Sequence, residues 1–418
     1  MTRAITPDTA HTNATCTETA LADCTLTARA GIDRDVAHGA VTPPLYLSSN
    51  YAFAGFNQKR PYDYSRSGNP TRDGLGEALA ALEGGHHAVI TSSGMSALDL
   101  VFQTVEKDDL IIAPHDCYGG THRLLTTRAA KGQFRVKFAD LSNAATLDDT
   151  FAEKAALVLI ETPSNPLLRI TDVKAVAARA KLQGALVVAD NTFLSPALQK
   201  PLALGADAVV HSTTKYINGH SDVCGGAVIA KTKELHEKLS WWANCTGITG
   251  APFDSFLTLR GLRTLNLRIQ QQSRTAAQLA EFLAQHPAVK TVYYPGLKSH
   301  PGHALAAQQQ FGFGAMLSFE LHAQENIGPL LETLTGHEER LFTLAESLGG
   351  FESLIAHPAT MTHASMDPDA RRIAGISDNL LRVSAGTEDA DDLQAALQLA
   401  LDTACGSFAL PRNVANSR

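Results

Sequence analysis

The stretch LVVADNTFLSPALQKPLALGADAVVHSTTK, residues 186–215, contains two short apolar runs that are each followed by polar residues. The first run ends at Asp190, and the second leads through Ser212 to Lys215. Short apolar runs separated by longer amphipathic segments are typical of buried parallel strands joined by helices. This stretch therefore predicts an α/β fold with polar side chains at the ends of neighbouring strands.

The same alternation extends over residues 88–230. The runs are Ala88-Val-Ile-Thr, Leu110-Ile-Ile-Ala, Leu157-Val-Leu-Ile, Leu186-Val-Val-Ala, Ala208-Val-Val-His and Ala227-Val-Ile-Ala. Between two of them, Asp172 to Gly184 has apolar residues at helical spacing and ends at a glycine that favours a helix C-terminus. We expect a mostly parallel central sheet with helices on both faces.

After residue 265 the pattern changes to that of a smaller α+β domain. We expect a helix from Ser273 to His286, which Pro287 ends, and a last helix from Glu388 to Ala404 with Thr387 as its cap. The predicted strands between them are Val289 to Tyr293, Ala315 to Leu321 and Leu380 to Ser384.

These patterns divide the chain into five parts. We expect a flexible N-terminal extension over 1–27, an extended arm over 28–68, a large domain over 69–265, a C-terminal domain over 266–404, and a polar tail over 405–418.

Composition excludes several classes of protein. The net charge is -7, which argues against binding to nucleic acid, and no apolar run is long enough to span a membrane. The six cysteines are scattered without C-x-x-C spacing, which favours a reducing, cytoplasmic location. Nucleotide-binding glycine motifs and metalloprotease motifs are absent from the sequence.

Two strand-end residues suggest covalent chemistry. Asp190 would lie at a buried edge of the sheet, where a carboxylate needs a cationic partner or hydrogen-bond donors. Lys215 follows Ser212 and Thr213, and a desolvated lysine loses proton affinity until its neutral amine attacks a carbonyl.

A third feature suggests a phosphate site. Ser93-Gly94-Met95-Ser96 opens a predicted helix, whose first N–H groups favour an anion, and the Ser212 and Thr214 hydroxyls add donors. An aspartate for a pyridinium nitrogen, a lysine for an aldehyde and a phosphate cradle together match pyridoxal phosphate.

Longer motifs then establish a resemblance. Val209-Val-His-Ser-Thr-Thr-Lys-Tyr-Ile-Asn-Gly-His-Ser-Asp222 resembles the cofactor-lysine segment of the Cys/Met-metabolism family of pyridoxal phosphate enzymes, fold type I. Further matching segments begin at Tyr64, Ser92, Tyr118, Glu161, Asp190 and Leu341. The resemblance runs from about residue 28 to 404 and implies the fold type I architecture.

The resemblance also implies cofactor contacts. Lys215 would carry the cofactor, Asp190 would hold its ring nitrogen protonated, and Tyr118 would stack on the ring and act as a catalytic acid–base group. The remaining implied cofactor contacts are Thr192, Gly94, Met95, Ser212 and Thr214, joined by Tyr64 and Arg66 from a neighbouring subunit.

Substrate contacts and a reaction follow from the same resemblance. Arg382 would bind the substrate α-carboxylate, and Asn165 would bind either the ring oxygen of the cofactor or that carboxylate. Ser347 would orient Lys215. Arg123 and Glu346 would contact the distal end of the substrate. The implied reaction is γ-replacement, which joins O-succinyl-L-homoserine and L-cysteine into L-cystathionine and succinate. The implied assembly is a homotetramer of two active dimers.

Two other reactions remain open on the same scaffold: γ-elimination from cystathionine and sulfhydrylation of a homoserine ester. Ser67 stands where γ-replacement members carry a second arginine after Arg66, and many γ-eliminating members have serine there.

Three other interpretations of the sequence have less support than a pyridoxal phosphate site. His115-Asp116-Cys117 suggests a thiol site, but adjacent residues rarely converge. His357 and His363 lack the spacing of a zinc site, so we expect no metal. A non-enzymatic binding protein would have little reason to place Lys215 and Asp190 at neighbouring strand ends.

Overall fold

The structure is a computed structural model that describes residues 21–364, Met366 and residues 368–406. Fifteen α-helices lie within these residues: α1 Asp23–Ala28, α2 Pro70–Glu83, α3 Gly94–Phe102, α4 Gly119–Ala130, α5 Leu147–Thr150, α6 Val173–Leu182, α7 Ser195–Leu198, α8 Pro201–Leu204, α9 Lys233–Thr246, α10 Pro252–Leu262, α11 Leu265–Gln285, α12 His303–Gln309, α13 Ile327–Thr335, α14 Pro368–Ile373 and α15 Ala390–Ala404. Among these helices, none has both the length and the apolar character needed to cross a membrane.

Seven strands form the central sheet, in the order β1-β7-β6-β5-β4-β2-β3. Their bounds are β1 His87–Thr91, β2 Leu110–Pro114, β3 Arg135–Ala139, β4 Leu157–Glu161, β5 Leu186–Asp190, β6 Ala208–His211 and β7 Gly226–Ala230. Only β7 runs antiparallel to its neighbours. Each apolar run of the sequence forms a strand, which confirms the predicted mostly parallel sheet.

Alternate residues of each strand enter separate hydrophobic clusters on the two faces of the sheet. In β4, Val158 and Ile160 belong to the cluster that also contains residues of α2, α6 and α11. Leu157 and Leu159 belong to the cluster that contains residues of α3, α4 and α9. Because successive strand side chains point to opposite faces, this division confirms that helices cover both faces.

A second sheet contains five strands in the order β10-β11-β12-β9-β8. Their bounds are β8 Val289–Tyr293, β9 Met316–Leu321, β10 Phe342–Leu344, β11 Ser353–Ala356 and β12 Leu380–Ser384. Only β10 and β11 pair in parallel. The α+β character predicted for the C-terminal part is confirmed, while the boundary at residue 265 stays a prediction.

Helix α11 begins at Leu265, eight residues before the predicted start at Ser273. Polar side chains on its buried face hid the periodicity of this first part. Arg268 donates to the carbonyl oxygens of Tyr216 at 2.7 Å and Gly261 at 2.9 Å, and Gln272 donates to that of Gly350 at 2.6 Å. These hydrogen bonds allow two polar residues to occupy core positions.

Helix α15 begins at Ala390, and its cap is Asp389 rather than the predicted Thr387. The Asp389 carboxylate accepts from the Asp391 amide at 3.0 Å. Glu388 lies outside the helix because its carboxylate accepts from the amide and hydroxyl of Ser353 at 2.7 and 2.8 Å. A competing tertiary contact therefore sets this helix end.

The N-terminal part differs in one respect from expectation. Residues 23–28, at the end of the predicted flexible extension, form α1, where Thr27 is buried and Asp23 pairs with Lys200 at 2.8 Å. Residues 29–69 contain no helix or strand and only isolated bridges, and the assignment of this segment as an arm stays a prediction. Residues 1–20 of the extension and 407–418 of the tail lie outside the described residues.

Candidate active site

The carboxyl ends of the central strands border one cavity of about 330 Å³. The polar ends of β4, β5 and β6 meet there with the loop between β1 and α3, because parallel strands end at the same edge of a sheet. Its lining residues are Ser93, Gly94, Met95, Leu98, Tyr118, Glu161, Pro163, Asn165, Asp190, Thr192, Phe193, Ser212, Thr214, Lys215, Cys224, Glu346, Ser347, Leu348, Thr362 and Arg382.

Three predicted site residues lie elsewhere. Arg123 is exposed on α4 and does not line the cavity. Tyr64 and Arg66 are exposed on the arm, where the Arg66 guanidinium lies 5.6 Å from the Tyr64 ring and donates to the Asn244 carbonyl at 3.0 Å. All other predicted site residues line the cavity.

Lys215 follows β6 and is half-buried at the cavity. Its Nζ donates to the Ser347 hydroxyl at 2.5 Å. Burial, and then the neighbouring Arg382 cation, lower the pKa of Lys215 to about 8. About a tenth of this amine is therefore neutral, and so nucleophilic, at pH 7.

Asp190 ends β5 and shares the cavity with Lys215. Its Oδ1 accepts from the Thr192 amide at 3.0 Å, and the Thr192 hydroxyl accepts from the Ser212 amide at 2.9 Å. Burial raises the pKa of Asp190, although hydrogen bonds from Thr192 and the nearby His211 act in the opposite direction. The carboxyl is thus placed to gain from a cationic partner in the cavity.

The N-terminus of α3 forms another wall. Ser93 caps this helix, since its hydroxyl accepts from the Ser96 amide at 3.1 Å. The amides of Gly94 and Met95, in the first turn, have no acceptor within the helix. A Cβ at Gly94 would lie 2.8 Å from the Ser212 Cβ, so this position requires glycine for the close approach of the two loops.

Arg382 joins the two domains at the cavity. It is buried on β12 and donates to Asn165 Oδ1 at 3.0 Å and to the Ser347 carbonyl at 2.9 Å. Burial lowers the pKa of Arg382 to about 10, so the guanidinium stays charged at neutral pH. A buried cation beside an amide suits a small carboxylate ligand.

Tyr118 and Glu161 form the remaining polar wall. Tyr118 is 44% exposed at the N-terminus of α4. Its amide donates to Glu161 Oε2 at 2.9 Å. Burial and the neighbouring Asp190 raise the pKa of the Glu161 carboxyl well above its usual range.

Sequence reasoning gave no role to several lining residues, including Glu161, Phe193, Cys224 and Thr362. Glu161 had a usable signal, because it ends the apolar run Leu157-Val-Leu-Ile just as Asp190 ends the next one. Thr362 lies in a loop without periodicity, so only the fold brings it here.

The structure disfavours the thiol alternative. Cys117 is buried, and burial beside Glu161 and Asp116 raises the pKa of its thiol well above the usual range, which opposes the reactive thiolate. Asp116 Oδ2 accepts from Arg169 at 2.8 Å and from the Ser164 hydroxyl at 2.7 Å, while its nearest approach to a nitrogen of His115 is 3.8 Å, too long for a hydrogen bond.

The histidines considered for zinc make hydrogen bonds instead. Both ring nitrogens of His357 have oxygen partners, Thr360 Oγ1 at 2.8 Å and the Asp378 carbonyl at 2.9 Å. His363 Nδ1 lies 2.8 Å from the Thr362 hydroxyl. Within the described residues, no group of three or more His, Cys, Asp or Glu side chains is arranged to hold a metal ion.

Comparison with known proteins identifies relatives over nearly the whole chain. The cystathionine gamma-synthase of Escherichia coli (strain K12) is 55% identical over 375 residues, which cover 90% of this chain and 96% of that protein. The cystathionine gamma-lyase of Bacillus subtilis (strain 168) is 44% identical over 378 residues, 90% of this chain and 98% of that one.

A solved structure agrees with this result. The cystathionine gamma synthase of Xanthomonas oryzae pv. oryzae, in complex with aminoacrylate and cysteine, is 59% identical with a TM-score of 0.91, and the match covers 93% of this chain and 100% of that one. The model of the family described as Cys/Met metabolism PLP-dependent enzyme matches residues 24–402. The chain therefore belongs to this family of fold type I enzymes, whose cofactor is pyridoxal phosphate.

Proposed function

We propose that this protein catalyses γ-replacement, in which O-succinyl-L-homoserine and L-cysteine give L-cystathionine and succinate. The observation that carries the proposal is one cavity that combines Lys215, Asp190 and the Arg382–Asn165 pair. Relatives named gamma-synthase at 55% and 59% identity favour this reaction within the family.

The residues present fit pyridoxal phosphate. The first turn of α3 and the Ser212 and Thr214 hydroxyls border one side of the cavity, where they supply donors for a phosphate. Lys215 has the lowered pKa that attack on an aldehyde needs. Among the residues that the structure describes, no lysine or arginine forms an ion pair with Asp190, and a pyridinium nitrogen would supply that cation. Gly94, Met95, Ser212, Thr214, Thr192, Asp190 and Lys215 would hold the cofactor.

When bound, pyridoxal phosphate supplies an aldehyde for the substrate amine and a ring that withdraws electrons from bonds at the neighbouring carbon. Lys215 would move protons at the substrate: its Nζ would take one from Cα and another from Cβ before succinate leaves from Cγ. After the cysteine thiol has added at Cγ, the same amine would return protons to Cβ and Cα. The Ser347 hydroxyl, at 2.5 Å, orients this amine.

Arg382 and Asn165 would hold the substrate α-carboxylate. The guanidinium is charged and buried, and its Nη1 already contacts the Asn165 amide, so the pair presents a fixed donor set. Such a clamp orients Cα toward Lys215, which favours proton transfer at that carbon.

Tyr118 would stack on the cofactor ring and take a proton from the incoming amine or thiol. Its ring borders the cavity and remains partly exposed, so a substrate group can reach the hydroxyl. Glu346, which is exposed at the same cavity, would contact the distal part of the substrate. Arg123 does not line this cavity, and its contact with the distal part of the substrate stays a prediction.

A second subunit would complete the site. Tyr64 and Arg66 lie on the arm outside this chain's own cavity, and the arm exposes large apolar residues such as Phe53 and Phe56. A neighbouring copy that covers this arm would receive both residues at its cavity, and two such dimers would form the homotetramer.

A cystathionine γ-lyase is the second candidate. Ser67 supports it, because the residue after Arg66 is an uncharged serine and supplies no second cation for a succinyl carboxylate. The Ser67 hydroxyl donates to Asp63 Oδ1 at 3.0 Å. The Bacillus subtilis relative, named gamma-lyase, shows that such a reaction occurs within the family at 44% identity.

Product analysis separates these candidates. The pyridoxal phosphate-loaded protein is incubated with O-succinyl-L-homoserine, with and without L-cysteine, and cystathionine and 2-oxobutyrate are measured. We expect cystathionine only with cysteine, formed at the expense of 2-oxobutyrate. If the ester is ignored while added cystathionine is cleaved, the protein is a lyase.

A further inference from the structure

Glu161 is a second carboxyl group beside Asp190. The two residues are register partners at the ends of the adjacent parallel strands β4 and β5, and both line the cavity. Glu161 is only 7% exposed. A charged carboxylate is therefore difficult to accommodate at both positions, because neighbouring buried like charges repel.

The surroundings of Glu161 and Asp190 differ. Asp190 receives hydrogen bonds from Thr192 and lies near His211, which favours its negative charge. The backbone amides of Tyr118 and Asn165 favour a charge on Glu161 as well, but burial and the facing acidic groups Asp190 and Asp116 oppose it. The cation near Asp116, Arg169, is paired with Asp116 itself. In the described part of the chain, no lysine or arginine forms an ion pair with Glu161.

Glu161 also carries a structural contact at the cavity wall. Its Oε2 accepts from the amide of Tyr118, the residue that precedes the first turn of α4. The Tyr118 side chain does not cap this helix itself. Glu161 therefore sets the position of the backbone that carries the Tyr118 ring.

We propose that Glu161 is a positioning residue that works as a neutral carboxylic acid: it fixes the Tyr118 backbone while leaving the single negative charge of the pair on Asp190. This role rests on the proposed function, in which Asp190 faces the cofactor ring. A neutral acid accepts the Tyr118 hydrogen bond through its carbonyl oxygen without competing for the cationic ring. The Glu161–Asp190 pair then carries one negative charge, which balances the one positive charge of the cofactor ring.

Two substitutions at this position test the proposal. Glu161→Gln keeps the size and the carbonyl acceptor but cannot ionise, so the pyridoxal phosphate Kd and the KM are expected to stay within about threefold of the parent. Glu161→Ala removes the acceptor and leaves the Tyr118 amide unpaired, so we expect cofactor affinity to fall about tenfold or more. The visible circular dichroism band of the bound cofactor should change in the alanine variant alone, because this band reports the ring environment.

A direct spectroscopic test is independent of activity. The infrared difference spectrum between the loaded parent and loaded Glu161→Gln, at neutral pH, should contain the carbonyl band of a protonated carboxylic acid. A carboxylate band in its place would overturn the proposal, as would a glutamine variant that loses cofactor affinity as severely as the alanine variant. Glu83→Gln, which changes a buried carboxyl outside the cavity, serves as the matched control for the band assignment.

The role of Glu161 and the proposed function can fail independently of each other. If the parent protein fails to bind pyridoxal phosphate, the proposed function is wrong, whatever the variants do. If the parent binds the cofactor and forms cystathionine while Glu161 is ionised, only the role of Glu161 is wrong. If Glu161→Ala does not fold, the cofactor affinity of Glu161→Gln and its infrared spectrum still test whether Glu161 is a neutral acid.

Discussion

Lys215 has a side chain whose environment changes its chemistry. Partial burial and the nearby Arg382 cation lower its pKa from 10.5 to about 8, and its amine contacts the Ser347 hydroxyl. Only the neutral amine attacks an aldehyde, so the neutral fraction of Lys215 determines how fast the cofactor-free protein captures pyridoxal phosphate.

The capture rate should therefore depend on pH in a defined way. Below the pKa the neutral fraction rises about tenfold per pH unit, so we expect the rate to rise up to about pH 8 and then to level off. Stopped-flow absorbance measures this rate. A rate that continues to rise toward the ordinary lysine pKa would show that the amine is not perturbed, and Lys215→Ala provides the control without capture.

Gly94 shows how one missing side chain shapes the cavity. A methyl group there would lie 2.8 Å from the Ser212 Cβ and would force apart two loops that border the proposed phosphate site. We expect Gly94→Ala to weaken pyridoxal phosphate binding about tenfold or more, since overpacking costs about 1–3 kcal/mol. Equilibrium dialysis measures the Kd.

Gly328→Ala provides the comparison for this variant. Gly328 lies on α13, where an added Cβ meets no atom, so its substitution should leave cofactor binding unchanged. Equal losses of affinity in both variants would contradict the proposed role of Gly94.

Helix α11 supports the loop that carries Lys215. The buried Arg268 on this helix donates to the carbonyls of Tyr216, Ile217 and Gly261, so one guanidinium ties α11 to the residues directly after Lys215 and to the end of α10. Burial lowers the pKa of Arg268 to about 10, and the group remains charged at neutral pH.

Arg268→Leu should therefore destabilise the protein. Removing the guanidinium leaves buried carbonyls without donors, and we expect the free energy of unfolding to fall by about 2–4 kcal/mol, measured by chemical denaturation at fixed protein concentration. Arg274→Leu changes an exposed arginine of the same helix and should alter stability by no more than about 0.5 kcal/mol. Similar effects of the two variants would contradict the support role of Arg268.

The elements that sequence predicted well are those whose apolar residues follow one period without interruption. The strand around Val187 and Val188 is an example, and its polar end, Asp190, located the cavity. Helix α11 was predicted too short because Arg268 and Gln272 occupy core positions through hydrogen bonds that only the folded chain provides. The start of α15 was missed because Glu388 bonds to Ser353, which is remote in sequence.

In the candidate site too, the residues that could be predicted are those next to uninterrupted apolar runs or inside long motifs. Lys215 and Asp190 could be found because each follows an apolar run, and the longer motifs located Arg382 through the family resemblance. The pairing of Arg382 with Asn165, and of Glu161 with the Tyr118 amide, depends on contacts between remote segments. Local periodicity carries no information about such contacts.

The arm favours an assembly in which two subunits each contribute residues to one active site. Tyr64 and Arg66 are exposed and lie outside the cavity of their own chain. If each cavity takes Lys215 from one subunit and Arg66 from the other, two inactive variants should complement each other.

Mixing tests this arrangement. Lys215→Ala and Arg66→Ala are each expected to be inactive or nearly so. After dissociation and joint reassembly in equal amounts, about half of the dimers are mixed and one site in each is intact, so about a quarter of parental activity should return. No recovery, despite mixed dimers detected by native mass spectrometry, would show that both residues serve the same chain's cavity.

We expect this cavity to bind pyridoxal phosphate through Lys215. The most direct measurement is borohydride reduction of the loaded protein, followed by proteolysis and peptide mass spectrometry. We predict one stoichiometric phosphopyridoxyl group on Lys215 and none on the other lysines. A label on a different lysine, or loaded protein that acquires no label, would show that Lys215 does not bind the cofactor.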